Sequence, residues 1–115
     1  MAAISVAFPI GAEKFEQARR WGQAKMGPRK AELAESDRQL GLSRESWHLQ
    51  ETSTGGLLIL SFEATDVAGA LAGYAAAEGP FERWEKQEIK ALTGVDLGRP
   101  LSTPLPETLV EWKDS

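Results

Sequence analysis

The chain contains no cysteine and only one histidine among its 115 residues. Without cysteine it can form no disulfide, no thiolate nucleophile and no cysteine-ligated metal centre. One imidazole is too few for a transition-metal site, so we expect no metal. The glycine pairs Gly55-Gly56 and Gly94–Gly98 lack the spacing of phosphate-binding loops. We therefore expect no cofactor.

Long apolar runs and an excess of positive charge are also missing. The longest apolar stretches are far shorter than the roughly 20 residues that span a bilayer. No basic residue precedes the apolar start, which Pro9 and Gly11 end, so it is a poor signal peptide and a good first strand. The net charge of −4 argues against a nucleic-acid partner. We expect a cytoplasmic protein with neither a membrane nor a nucleic-acid partner.

The hydrophobic pattern predicts one α+β domain spanning residues 1–115. Alternating side chains predict strands at 3–9, 44–52, 57–64 and 108–113. Helical periodicity predicts a helix, bent or divided at Pro28, across 12–40, and two helical segments on either side of Gly79-Pro80. Residues 95–106, which contain three prolines, are predicted to be a surface loop. This order predicts a ferredoxin-like βαββαβ sandwich, with helices on one face of a four-stranded antiparallel sheet.

The third predicted strand is apolar on both faces. Leu57 and Ile59 point to one side, whereas Leu58, Leu60 and Phe62 point to the other. The predicted helices can cover only one side, and the sequence does not say which. A second copy of the chain is the predicted cover for the other side, which makes the protein a homodimer through its sheet faces.

Four local runs accompany this order of elements: Pro28-Arg-Lys-Ala-Glu-Leu33, Arg44-Glu-Ser-Trp47, Pro80-Phe-Glu-Arg-Trp84 and Gly94-Val-Asp-Leu-Gly98. With the long first helix, the chain resembles the dimeric α/β-barrel superfamily, which includes antibiotic-biosynthesis monooxygenases and stress-responsive barrel proteins. The runs resemble an uncharacterised bacterial branch of it. The resemblance implies a barrel formed by the sheets of two chains and a small organic ligand between the sheet and helices of each chain.

The single histidine, His48, is the one candidate for an imidazole general base. It shares a strand face with Ser46 and Gln50, and Glu63 across the hairpin could orient the ring or raise its pKa. The alternative is a hydrogen-bonded histidine in a dimer interface or pocket wall.

The apolar stripe of the first predicted helical region consists of Phe15, Ala18, Gly22, Met26, Leu33 and Leu40. Arg29 falls near the middle of this stripe, just after Pro28. A charge that faces a core needs a partner or a bound anion, so Arg29 could hold a ligand carboxylate or enolate. The alternatives are an internal ion pair, for example with Asp37, or an arginine whose head reaches water.

Three aromatic residues complete the candidate ligand site. Tyr74 is the sole tyrosine and lies on the inner face of its predicted helix, where its hydroxyl could donate to a ligand or to a core partner. Trp47 and Trp84 are predicted packing anchors that could also form a pocket wall. The small residues of Ala68–Gly73 either let the helix approach the sheet or leave room for a ligand.

Two functions fit these features. The first is a small ligand-binding or interaction module, which agrees with the absence of a reactive constellation. The second is a cofactor-independent enzyme, similar to a monooxygenase or an isomerase, that acts on an aromatic or enolisable molecule through His48, Arg29 and Tyr74. An enzyme of this kind requires an apolar cavity in which at least two of those groups meet.

Overall fold

The computed structural model describes residues 2–114 and shows an α+β fold. In chain order the elements are β1 (Ala2–Ile10), a short 3-10 turn (Ala12–Lys14), α1 (Phe15–Met26), α2 (Lys30–Leu40), β2 (Leu42–Thr52), β3 (Gly55–Ala64), α3 (Val67–Ala76) and α4 (Pro80–Thr93). None of the helices in this described part is long and apolar enough to cross a membrane.

The helix boundaries follow from the residues that the sequence places there. The first helical region divides at Gly27–Arg29, where Pro28 cannot donate a backbone hydrogen bond. Gly41 and Gly94 end α2 and α4 with φ of +76° and +78°, a left-handed conformation that glycine adopts without strain. The side chain of Asp66 caps α3 by accepting a hydrogen bond from the backbone N–H of Gly69 at 2.9 Å.

The sheet has the strand order β1-β3-β2, and both pairings are antiparallel. The predicted hairpin is thus confirmed, and its second strand lies at the centre of the sheet. Leu60 is paired with Val6 on one side and with Trp47 on the other. Because side chains alternate along a strand, these three residues lie on one face.

The helices cover the face that carries Leu58, Leu60 and Phe62. Leu58 packs in a core cluster with Trp21 of α1 and Ile89 of α4, whereas Phe62 packs in a second cluster with Ala70 of α3. On the opposite face, Ser5 and Ala7 of β1 are exposed. Leu57 and Ile59, at the centre of that opposite face, are half-buried. We call this opposite side the bare face of the sheet.

The prediction of a four-stranded ferredoxin-like βαββαβ sheet, and of a dimeric α/β barrel built from it, is wrong. Within residues 2–114 the sheet has three strands and is not closed. Residues 108–113, predicted as the last strand, form no strand, and Leu109, Val110 and Trp112 are 84%, 87% and 80% exposed. Alternation indicates which side chains could share a face, but a strand also needs a neighbouring strand with which to pair, and residues 108–113 belong to none of the strands within residues 2–114.

The buried stripe of the first helix also differs from the predicted one. Ala18 is buried as expected, but its buried companions are Trp21 and Lys25, whereas Met26 is 61% exposed. The prediction placed Met26 on the buried stripe and did not include Lys25 in it. The helix is instead rotated so that the lysine faces the interior, where carboxylates compensate its charge.

Candidate functional site

A cavity of about 680 Å³ lies between the helix-covered face of the sheet and the helices α2 and α3, and it is partly open to solvent. Its walls are mostly apolar and include Phe8 of β1, Leu60 of β3 and Leu71 of α3. The segment between Leu97 and Leu105, predicted as a surface loop, has no regular structure and also lines the cavity. This volume is in the range of small-molecule sites.

The small residues of α3 create much of this space. Ala68, Ala70 and Ala72 line the cavity, so the alanine-rich run leaves room beside the sheet. The same run lets α3 approach α2 closely, because a Cβ atom added at Gly73 would lie 3.1 Å from the side chain of Leu40. The run therefore leaves room beside the sheet, as one of the two alternatives predicted, and at Gly73 it brings α3 close to α2 rather than to the sheet.

Five side chains form an inner polar cluster beside the cavity: Lys25, Asp37, Glu45, Tyr74 and Glu85. The ammonium of Lys25 forms ion pairs with Glu45 and Glu85, and all three side chains are at least 89% buried. Burial alone lowers the pKa of a lysine, but the charges of Glu85 and Glu45 outweigh it and raise the pKa of Lys25 above its ordinary value. Lys25 therefore stays charged in the interior.

Asp37 and Glu45 share a proton at one end of this cluster. Burial, followed by the hydrogen bond to Glu45 and the charge of Glu45, raises the pKa of Asp37 to about 8. Burial also acts against the charged form of Glu45, but Lys25 and the hydrogen bonds from Asp37 and Trp47 lower its pKa overall. At neutral pH, Asp37 is thus the protonated partner and donates to the Glu45 carboxylate.

Tyr74 and Glu85 form the other end. The Tyr74 hydroxyl donates a hydrogen bond of 2.8 Å to Oε1 of Glu85. Burial and the charge of Glu85 raise the pKa of Tyr74, so the phenol stays neutral. Burial also raises the pKa of Glu85, against the opposing charge of Lys25. Asp37, Glu45, Tyr74 and Glu85 all line the cavity, so its polar end consists of carboxyl and phenol oxygens.

Two of the residues predicted from the sequence lie at this site. Tyr74 is the hydroxyl donor described above. Trp47 lines the cavity, and its Nε1 donates a hydrogen bond of 2.9 Å to Glu45. The Trp47 ring also makes an edge contact with Trp21, and the Lys25 ammonium lies 5.2 Å from the Trp47 ring. Trp47 therefore acts as both the predicted packing anchor and a pocket wall.

His48 and Glu63 lie on the bare face of the sheet and outside the cavity. His48 is exposed and is paired with Ile59, whereas Glu63 is paired with Ala3 and Arg44. The predicted polar cluster around His48 includes Ser46 on the same strand, but Glu63 lies opposite Arg44 rather than His48. The histidine therefore has no access to a ligand bound in the cavity.

Arg29 and Trp84 pair with each other away from the cavity. The Arg29 guanidinium lies 4.3 Å from the Trp84 ring, and it forms an ion pair of 3.5 Å with Glu32. Arg29 immediately precedes α2, and its side chain is 34% exposed. The break at Pro28 rotates it away from the stripe on which the sequence placed it, so neither Asp37 nor a ligand in the cavity is its partner.

The positions of Lys25, Glu45 and Glu85 in the sequence indicate this cluster, although none of the three was predicted as a site residue. Lys25 follows Trp21 by four residues, Glu85 lies four residues from both Phe81 and Ile89, and Glu45 alternates with Trp47. Each charged residue thus occupies a core position of its helix or strand. Three charges of compensating sign at core positions would have indicated a buried ionic network, but the pattern does not say which charges meet.

Comparisons with protein-family models, with curated proteins and with solved structures found no match to this chain. The resemblance to the dimeric α/β-barrel superfamily therefore stays a prediction.

Replacing Lys25 by Met tests the ionic network. The variant leaves Glu45 and Glu85 buried without their cation, so we expect it to lose about 3–5 kcal/mol of unfolding free energy at neutral pH. The loss should shrink as the pH falls and the carboxylates take up protons. Urea denaturation at several pH values measures both effects.

The matched control is Arg38→Met, which breaks an exposed ion pair with Glu35. An exposed pair contributes about 1 kcal/mol or less. If Lys25→Met were no less stable than Arg38→Met, the network would not hold the site together.

Proposed function

We propose that the protein binds a small, largely apolar organic molecule in the cavity between its sheet and helices. The observation that carries this proposal is the distribution of polar groups. Apolar side chains form most of the wall, and the charged and phenolic groups of the inner polar cluster converge at one place. Binding sites for small molecules combine an apolar wall with a few convergent polar groups in this way.

Filling the cavity tests this function. Ala75 lines the cavity, so Ala75→Phe places an aromatic ring in the space that a ligand needs. We expect the neutral fluorescent dye N-phenyl-1-naphthylamine to bind the unaltered protein, and its affinity to fall at least tenfold in Ala75→Phe. A fluorescence titration measures both.

The control is Ala31→Phe, which adds the same ring at an exposed position of α2 that does not line the cavity. It should leave dye binding unchanged. Failure of the unaltered protein to bind the dye, or equal binding by Ala75→Phe, would contradict the proposal.

A second candidate function is proton-transfer catalysis without a cofactor, and the shared proton of Asp37 and Glu45 favours it. A carboxyl group with a pKa near neutral can both give and accept a proton at physiological pH. Asp37, rather than the predicted His48, is then the acid–base group.

Deuterium exchange at the carbon next to the carbonyl of phenylacetone tests this candidate. We expect the protein to accelerate the exchange above the buffer rate at pH 8, where about half of the Asp37 carboxyl group is ionised. Asp37→Asn should abolish the acceleration, because the amide cannot accept the proton. Proton NMR in heavy water measures the rate. Glu35→Gln, an exposed change on the same helix, should exchange like the unaltered protein. No acceleration by the unaltered protein would rule the candidate out.

We also propose that two copies of the chain pair through the bare face. Leu57 and Ile59, which are half-buried, lie at its centre. Leu109, Val110 and Trp112 add apolar surface that nothing in the described chain covers. Side chains of this size, exposed together, are typical of an interaction surface.

Light scattering coupled to gel filtration tests the pairing. We expect a dimer at micromolar concentration, and a monomer when Ile59→Lys places a charge at the centre of the bare face. Met26→Lys changes an exposed apolar residue on α1, outside this surface, and should stay dimeric. A monomeric unaltered protein would contradict the pairing.

A further inference from the structure

The charged groups at the polar end of the cavity are of one sign. Asp37, Glu45 and Glu85 line it, whereas Lys25 is not among the lining residues. The Lys25 ammonium lies 5.0 and 5.2 Å from the centres of the Trp21 and Trp47 rings. Arg99 lines the outer part, but its side chain is 83% exposed and pairs with Asp96.

The inner polar cluster contains three carboxyl groups but only one cation, the ammonium of Lys25. Lys25 forms ion pairs with Glu45 and Glu85, which leaves Asp37 without a cation of its own. Three elements bring charges towards Asp37: β2 brings Glu45, α1 brings Lys25 and α4 brings Glu85. Tyr74 of α3 lines the same cavity as a neutral phenol. In the absence of a second cation, a proton compensates the third carboxyl group.

We propose that the ligand is an apolar molecule with a positively charged head, such as an alkyl or aryl ammonium, whose charge replaces the proton of Asp37. This inference rests on the proposed binding function and names its ligand class. A cation at the polar end meets the oxygens of Asp37 and Glu45, and its apolar body meets the remaining wall. An anionic head would meet those same oxygens, with the nearest buried ammonium already held between two carboxylates.

The exchange of a proton for a cation makes binding depend on pH. A permanently charged ligand requires Asp37 to be ionised, and its pKa is about 8 in the free protein. Affinity should therefore rise as the pH rises towards and through this value, and each bound cation should release up to one proton. A neutral ligand of the same shape should show no such dependence.

Three probes with a benzene ring and a tetrahedral head separate charge from shape: phenyltrimethylammonium, tert-butylbenzene and benzenesulfonate. We expect the cation at pH 8.5 to bind at least tenfold more tightly than either of the others, and its affinity to fall at least tenfold at pH 6. Calorimetry measures the two ions, and displacement of the neutral dye measures tert-butylbenzene. Calorimetry in two buffers of different ionisation enthalpy counts the released protons without any variant.

Asp37→Asn should remove both the preference for the cation and its pH dependence while tert-butylbenzene still binds. Glu35→Gln, on the exposed side of the same helix, should retain both. If tert-butylbenzene or benzenesulfonate bound as tightly as the cation at pH 8.5, or if no proton were released, the charge inference would be wrong and the binding function would stand. If no probe bound and the dye also failed to bind, both would be wrong.

Discussion

The buried ammonium of Lys25 forms ion pairs that connect separate elements in the interior of this protein. Lys25 comes from α1, and its two carboxylate partners come from β2 and α4, so a single charge links three elements that are distant in sequence. Taking these groups out of water carries a large desolvation cost, which close ion pairing and additional hydrogen bonds offset. Trp47 and Tyr74 supply those hydrogen bonds to Glu45 and Glu85. Because each partner is left uncompensated without the others, the network favours one relative placement of the helices on the sheet.

The same constraint determines the chemistry of the cavity. Lys25 neutralises part of the charge of Glu45 and Glu85 without lining the cavity itself. Asp37, Glu45 and Glu85 all line the cavity. Burial then keeps a proton on Asp37 at neutral pH. An apolar space with a proton-sharing carboxyl pair at one end suits both ligand binding and proton transfer. The two proposed roles differ in what a ligand would carry to that end: a positive charge that replaces the proton, or a carbon-bound proton that the carboxyl pair removes.

The two faces of the sheet carry different groups. The helix-covered face contains the core, the cavity and the inner polar cluster. The bare face carries His48, Glu63 and the half-buried Leu57 and Ile59, none of which lines the cavity. Residues 108–113 also have the alternating pattern of a strand, but they belong to none of the strands within residues 2–114, and Leu109, Val110 and Trp112 are exposed.

Local chemistry in the sequence determined most of the elements. Alternation at Val6 and Phe8 and the apolar run Leu57–Phe62 determined strands. Pro28 divided the first helical region, and Gly41 and Gly94 ended helices because they adopt positive φ without strain. These signals act between residues near each other in the chain, so they can be read from it. The tertiary structure alone decided which strands pair, which face the helices cover, and which charges meet. Lys25, Glu45 and Glu85 lie at core positions of three separate elements, and only the packing of those elements brings their charges into contact.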